Sequence, residues 1–268
     1  MSVATAHPAQ QQTSDEANEQ EQNPPVSKPD IVVVGTKNER PKTIALQPID
    51  RQGRARHAAR AERFAKCMQF LDLDLLHRVV DGPPEYSSTR FALGRLIQKN
   101  LGCYPDLEKV PRPGAIDLGT CDAASVGTHK ECRAPYDRAA ILRRAIRKYA
   151  PDLSLTVEQV NDPAVQARLD AREVPLNRYR RGDDKLLFEI SICMVRLRPE
   201  QAVQLTMTDD RLAQNSLTDA VISGANECIG GAKQLDVGQD MFRAYISDAV
   251  YRWVVATRNV DSLLPKAE

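Results

Sequence analysis

Six cysteines carry the most specific chemical signal in this chain: Cys67, Cys103, Cys121, Cys132, Cys193 and Cys228. An even number of thiols suits a disulfide framework, and six of them allow about 15 connectivities. No two are spaced C-x-x-C, which argues against zinc ribbons and thioredoxin-type redox chemistry. Cys121, Asp122, His129 and Cys132 together offer thiolate, carboxylate and imidazole to a zinc ion. The two cysteines there are too far apart for a zinc-finger spacing. A disulfide uses the same pair with fewer assumptions, so no metal ligand is assigned.

Histidine is scarce: His7, His57, His77 and His129. His57 lies among arginines and reads as solvated. Asp74 and His77 stand three residues apart, a spacing that serves an acid/base pair or a plain surface contact. Phosphate-loop, dinucleotide-binding, nucleophile-elbow and zinc-protease motifs are missing from the sequence. The glycine-rich "GANECIGGAK" at 224 to 233 follows a helical pattern and reads as a helix stop. No catalytic residue and no cofactor are therefore assigned.

Three basic runs remain. The first is Arg51, Arg54, Arg56, Arg60, Arg63 and Lys66; the second is Arg138, Arg143, Arg144, Arg147 and Lys148; the third is Arg178, Arg180 and Arg181. Such runs form solvated faces, or contact anionic envelope polymers, lipid headgroups or nucleic acid. The net charge of +1 argues against nucleic acid as the main partner. No run of about 18 apolar residues exists to span a bilayer.

The elements that would position these residues are mostly helices. Residues 1–28 are rich in Gln, Glu, Ala, Ser and Pro and are expected to be disordered. Ile31, Val32, Val33 and Val34 form a short strand ended by Gly35, with a second short strand at 43–46. From Arg54 onward the apolar period becomes helical, with Phe64, Cys67, Met68, Leu71 and Leu75 on one face. Asp72 caps a new helix that Gly82-Pro83-Pro84 stops, and Ser87 or Ser88 caps the next. That helix is expected to turn Phe91, Leu93, Leu96, Ile97 and Leu101 inward. A loop rich in Pro and Gly runs to Pro135, and a helix from Asp137 to Ala150 buries Ile141, Leu142, Ala145 and Ile146. A connector with a helix near Pro163 to Arg172 follows. Then come helices at Leu186–Leu197, from Pro199, at Leu212–Ile229 and at Gln239–Ala256.

The two helical sets match each other. Cys67-Met68 lies over Cys193-Met194, and a helix break follows soon after in both. Cys103 closes the third helix of one set and Cys228 the third of the other. "LRRAI" at 142–146 lies over "FRAYI" at 242–246. The path from Cys103 to Leu142 is much longer than that from Cys228 to Phe242, so the first copy carries an insertion that holds Cys121 and Cys132. This logic selects Cys67–Cys103, Cys193–Cys228 and Cys121–Cys132. Such bridges persist in oxidising compartments. Buried free thiols in a cytosolic protein are the alternative.

The scheme F-x-x-C-[MV], a helix break, L-x-x-x-L-x-x-C and then L-R-x-x-[IL]-x-x-A-x-Y resembles a group of uncharacterised secreted, all-helical proteins of alphaproteobacteria. The likeness covers about residues 60 to 255, twice over; it departs from the pattern at the insertion and where only Tyr149-Ala150 stands opposite the Ala249–Tyr251 end. It implies export. Ala4-Thr5-Ala6 has the small-x-small form of a signal-peptide cleavage site, consistent with a signal whose front lies upstream of Met1. Separately, Asp30 to Thr36 resembles a TonB box, the N-terminal peptide of TonB-dependent receptors. That likeness implies docking to an envelope protein by strand addition, through Ile31 to Val34. The same strand pairing at home with 43–46 is the alternative.

The expectation is an all-α protein of two tandem four-helix units, with a short N-terminal β-strand after a disordered tail. Residues 29–53 form the strand and linker and 54–150 the first copy, with an inserted loop at 104–135. Residues 151–182 form a connector, 183–258 the second copy and 259–268 a C-terminal tail. The expected role is a periplasmic or secreted, non-enzymatic interaction module of the bacterial cell envelope. Two alternatives stand beside it: an envelope enzyme with its site between the copies, and a cytosolic basic protein that binds nucleic acid.

Overall fold

The computed structural model describes residues 51–69, 72–103, 123–126, 129–132, 134–180, 182–230 and 237–266. The tail 1–28, both expected N-terminal strands (31–34 and 43–46) and Cys121 lie outside them. Ten α-helices make up the described chain. They are α1 (Arg51–Cys67), α2 (Leu73–Asp81), α3 (Ser87–Lys99), α4 (Ala134–Tyr149), α5 (Val157–Asn161), α6 (Pro163–Asn177), α7 (Gly182–Leu197), α8 (Pro199–Met207), α9 (Arg211–Ser223) and α10 (Gln239–Arg258). The inserted loop, read as irregular, carries an antiparallel hairpin of β1 (Ala123–Val126) and β2 (His129–Cys132), with Ala123 opposite Cys132.

Local chemistry sets the helix ends. Asp72 caps α2 by accepting from the Leu75 amide at 3.0 Å. Helix α2 ends at Gly82, in extended backbone before Pro83, where a Cβ would lie 2.0 Å from Thr89 Oγ1 and 2.6 Å from the Arg78 carbonyl. The cap of α3 is Tyr86, without a side-chain bond, and Ser87 is its first helical residue rather than the expected cap. The buried stripe of α3 is Thr89, Ala92, Leu93, Leu96 and Ile97, spaced at three and four residues. Phe91 falls off that stripe and is 61% exposed, contrary to its expected inward position. A capping box of Thr156 and Gln159 starts α5; Asp162 then caps α6, whose first residue is Pro163. Pro199 likewise opens α8. Helix α9 ends at Ser223, six residues before the expected Ile229. At Gly224 a Cβ would sit 1.9 Å from Arg198 Nε, which donates to the Gly224 carbonyl at 3.1 Å. A 3₁₀ turn, Asn226–Ile229, follows, as Leu101–Cys103 follows α3.

Two cysteine pairs are bridged among the described residues. Cys67 at the end of α1 is bridged to Cys103 in the turn after α3, with Cα atoms 5.5 Å apart. Cys193 in α7 is bridged to Cys228 in the turn after α9, at 5.7 Å. The expected Cys121–Cys132 bridge lies outside the described residues.

Helices α4 and α10 pack against each other at the centre. Helix α1 lies on α4 and α7 on α10; α2 pairs with α3, α8 with α9, and α6 packs on α10. One continuous hydrophobic core runs from Phe64 and Leu76 through Ile141 and Ile146 to Ile246 and Trp253. Burial at about 25 cal/mol per Å² of apolar surface is the main force holding these layers together. After α10, Asn259 turns the chain in a left-handed conformation (φ 53°) and Leu264 returns into the core. No helix among the described residues is long and apolar enough to cross a membrane.

Candidate functional site

The central pair of helices carries buried charge as well as apolar side chains. Asp248 of α10 is 2% exposed and accepts from three guanidiniums. Arg180 Nη2 donates to its Oδ2 at 2.7 Å, Arg252 Nη2 to Oδ1 at 3.1 Å and Arg138 Nη2 to Oδ1 at 3.2 Å. Charges removed from water this far persist only when paired, and each of these is. The arginines also close the C-terminal end of α2, whose last carbonyls lack partners within the helix. Arg138 donates to the Val79 and Gly82 carbonyls at 3.1 and 2.8 Å, and Arg252 Nη1 to the Asp81 carbonyl at 2.6 Å. One helix end is thus held by an arginine from α4 and another from α10.

The ionic chain continues outward. Arg180 lies 3.6 Å over the Phe188 ring and its Nη1 donates to Asp184 at 3.3 Å. Tyr245 donates to the same Asp184 oxygen at 3.0 Å. Burial alone would raise the Asp248 carboxyl, but Arg138, Arg252 and Arg180 outweigh it and hold it far below the usual carboxylate range. Burial, with the Asp184 charge beside it, pushes the Tyr245 phenol well above its ordinary value. Both groups are therefore locked in one protonation state at neutral pH.

These residues face a cavity of about 70 Å³ that opens between α4, α7 and α10. Glu85, Arg138, Asp184, Tyr245 and Asp248 give it a polar side. Pro84, Pro135, Ala139, Met241 and Ala244 give it an apolar one. The space exists because Ala139 and Ala244 are small where the two central helices face it. A second cleft, of about 210 Å³, lies beside Cys193 between α6, α7 and α10. Its walls include Leu169, Ile192 and Trp253, whose indole donates to the Ile192 carbonyl at 3.1 Å.

The structure moves several expected residues. The second basic run is not a solvated face: Arg138 and Arg143 are buried, and Arg143 Nε donates to Glu62 at 3.0 Å. Arg147 pairs with Asp209 at 2.7 Å. Arg180 of the third run is buried too, in the ion-pair chain. In the first run Arg56, Arg63 and Lys66 are exposed, as are Lys148 of the second run and Arg178 of the third. His57 is buried against Tyr136, with ring centres 6.1 Å apart, rather than solvated. His77 does not pair with Asp74. Its Nδ1 meets Asp81 at 2.9 Å and its Nε2 the Pro265 carbonyl at 2.8 Å, tying the C-terminal segment to α2. The TonB-box-like residues Ile31, Val32, Val33 and Val34 lie outside the described residues, as do Cys121 and Asp122 of the cysteine–histidine set. The sequence reading did not single out Asp248, Asp184, Tyr245 or Arg252. Its one available signal was Arg252 standing between Tyr251 and Trp253 in an otherwise apolar run, four residues after Asp248.

No protein-family model matches the chain, and neither a curated protein nor a solved structure matches it.

Proposed function

We propose that this chain is a non-enzymatic binding module of the bacterial cell envelope, made of two copies of one disulfide-pinned four-helix unit. The observation that carries the binding role is the cavity between α4, α7 and α10. Its floor consists of groups locked in place and in charge, Asp248 ionised and Tyr245 protonated. Fixed charges beside an apolar wall suit recognition, whereas proton transfer near neutral pH needs a group that titrates there. The envelope location is supported by the two bridges, which reducing cytosol would not preserve. Duplication is supported by the recurring order of three helices, a 3₁₀ turn and a long helix. In both sets a cysteine at or near the end of the first helix is bridged to that turn. In this reading the first three helices of each copy form a scaffold, and the fourth helices, α4 and α10, meet to build the site.

Native mass spectrometry of protein isolated from its own host tests the binding role. The expected result is a small-molecule adduct on the wild type that Ala244→Leu, which narrows the cavity, loses while keeping its helical circular-dichroism spectrum. Wild type without an adduct, or an adduct retained unchanged by Ala244→Leu, overturns the reading.

A further inference from the structure

The polar side of the cavity is an alternating chain of charge. It runs Arg138, Asp248, Arg180, Asp184, with Tyr245 on the last. Its two ends, Arg138 and Asp184, both line the cavity and carry opposite sign. Arg138 is 6% exposed and uses Nε and Nη2 for the α2 carbonyls and Asp248. Its Nη1 makes no hydrogen bond among the described residues, which leaves two N–H donors on a buried cation with the cavity in front of them. A buried guanidinium with spare donors attracts a carboxylate, and here Nη1 can make a single charge-assisted hydrogen bond to one of its oxygens.

The opposite end has surplus negative charge. Asp184 is already served by Arg180 and Tyr245, and exposed Glu85, which also lines the cavity, pairs with nothing among the described residues. A carboxylate at the mouth, next to a second one, attracts an ammonium group. Between the ends, Met241, Ala139 and Pro84 give an apolar surface without hydrogen-bonding side chains. The enclosed space of about 70 Å³ is well below that of drug-sized sites and admits only a small ligand.

We propose that the cavity takes a small zwitterion, a free α-amino acid with an apolar side chain. Its carboxylate sits on Arg138 Nη1, its ammonium against Glu85 and Asp184, and its side chain on Met241. This assignment rests on the cavity being the ligand site. It differs from that reading in requiring both charges on one ligand. A ligand with one charge leaves one end of the cavity unmatched, with a desolvated ionic group facing it.

Isothermal titration of the full chain with L-leucine, N-acetyl-L-leucine and L-leucinamide tests it. The expected result is that L-leucine binds, while removing either charge weakens binding about tenfold or more, the worth of one charge-assisted hydrogen bond. Glu85→Gln, an exposed change that leaves the ion-pair chain intact, should weaken L-leucine by a similar factor and leave N-acetyl-L-leucine unchanged. Equal binding of all three compounds, or binding of none, overturns the zwitterion assignment. The adduct experiment above decides the ligand-site reading separately, whatever the chemistry of the adduct.

Discussion

Replacing Asp248 by asparagine is the sharpest probe of how this fold is held. The two side chains are nearly the same size, so the change leaves no cavity and acts through charge. In the wild type one carboxylate accepts from Arg138, Arg180 and Arg252 at 2.7 to 3.2 Å, and all four residues are buried. The amide removes the charge and points an N–H₂ group at a guanidinium, donor to donor. Breaking a buried ion pair on one side costs about 3–5 kcal/mol, because the orphaned charge stays desolvated. Three cations share the loss, so the upper part of that range applies. For a chain of this size each kcal/mol lowers the melting temperature by about 2–4 °C. The expected drop is thus about 10–20 °C at pH 7 by calorimetry. Acid provides the sign check. The folded-state pKa of Asp248 is depressed, so its contribution is complete above the unfolded value of about 4 and fades as pH falls below it. Wild type and Asp248→Asn should converge as the pH is lowered from about 4 toward 2. A variant within about 1 kcal/mol of wild type at pH 7, well under the cost of an orphaned buried charge, would refute the reasoning.

Removing the second bridge with Cys193→Ala and Cys228→Ala should destabilise by about 4 kcal/mol in the loop-entropy model, given a sequence separation of 35. Urea titration checks this; no change in the midpoint would mean the bridge constrains nothing. His77→Ala removes a side chain that joins Asp81 to the Pro265 carbonyl. Amide exchange at residues 260–266 should rise several-fold while α4 is unaffected, and uniform exchange across the chain would count against a local tether. Val32→Pro removes a backbone donor from the proposed docking strand. Capture of an energising envelope protein from solubilised membranes should fall, and unchanged capture would rule the strand out as the docking element.

Much of the framework was legible because it is local. The Asp72 cap, the Pro199 start and the inward face of Ile141, Leu142, Ala145 and Ile146 follow from spacing alone. The pairing of Cys67 with Cys103 and of Cys193 with Cys228 followed from comparing the two halves of the chain. Phe91 misled because its size outweighed its phase: the stripe through Thr89, Leu93 and Ile97 excludes it. The site was not legible, because its contacts join distant parts of the chain. Arg138 meets Asp248 across 110 residues, and its sequence neighbours suggested only a basic surface. A guanidinium in a solvated run and one closing a buried helix end look alike until the packing of α4 on α10 is known.

The bridging of the cysteines within each helical set bears most directly on the fold and location proposed above. The direct measurement is a non-reducing peptide map of protein taken from its own host, with thiols blocked at lysis. Linked peptides are expected for Cys67 with Cys103 and for Cys193 with Cys228. Blocked, reduced thiols at these positions, or a bridge joining one set to the other, would contradict that pairing.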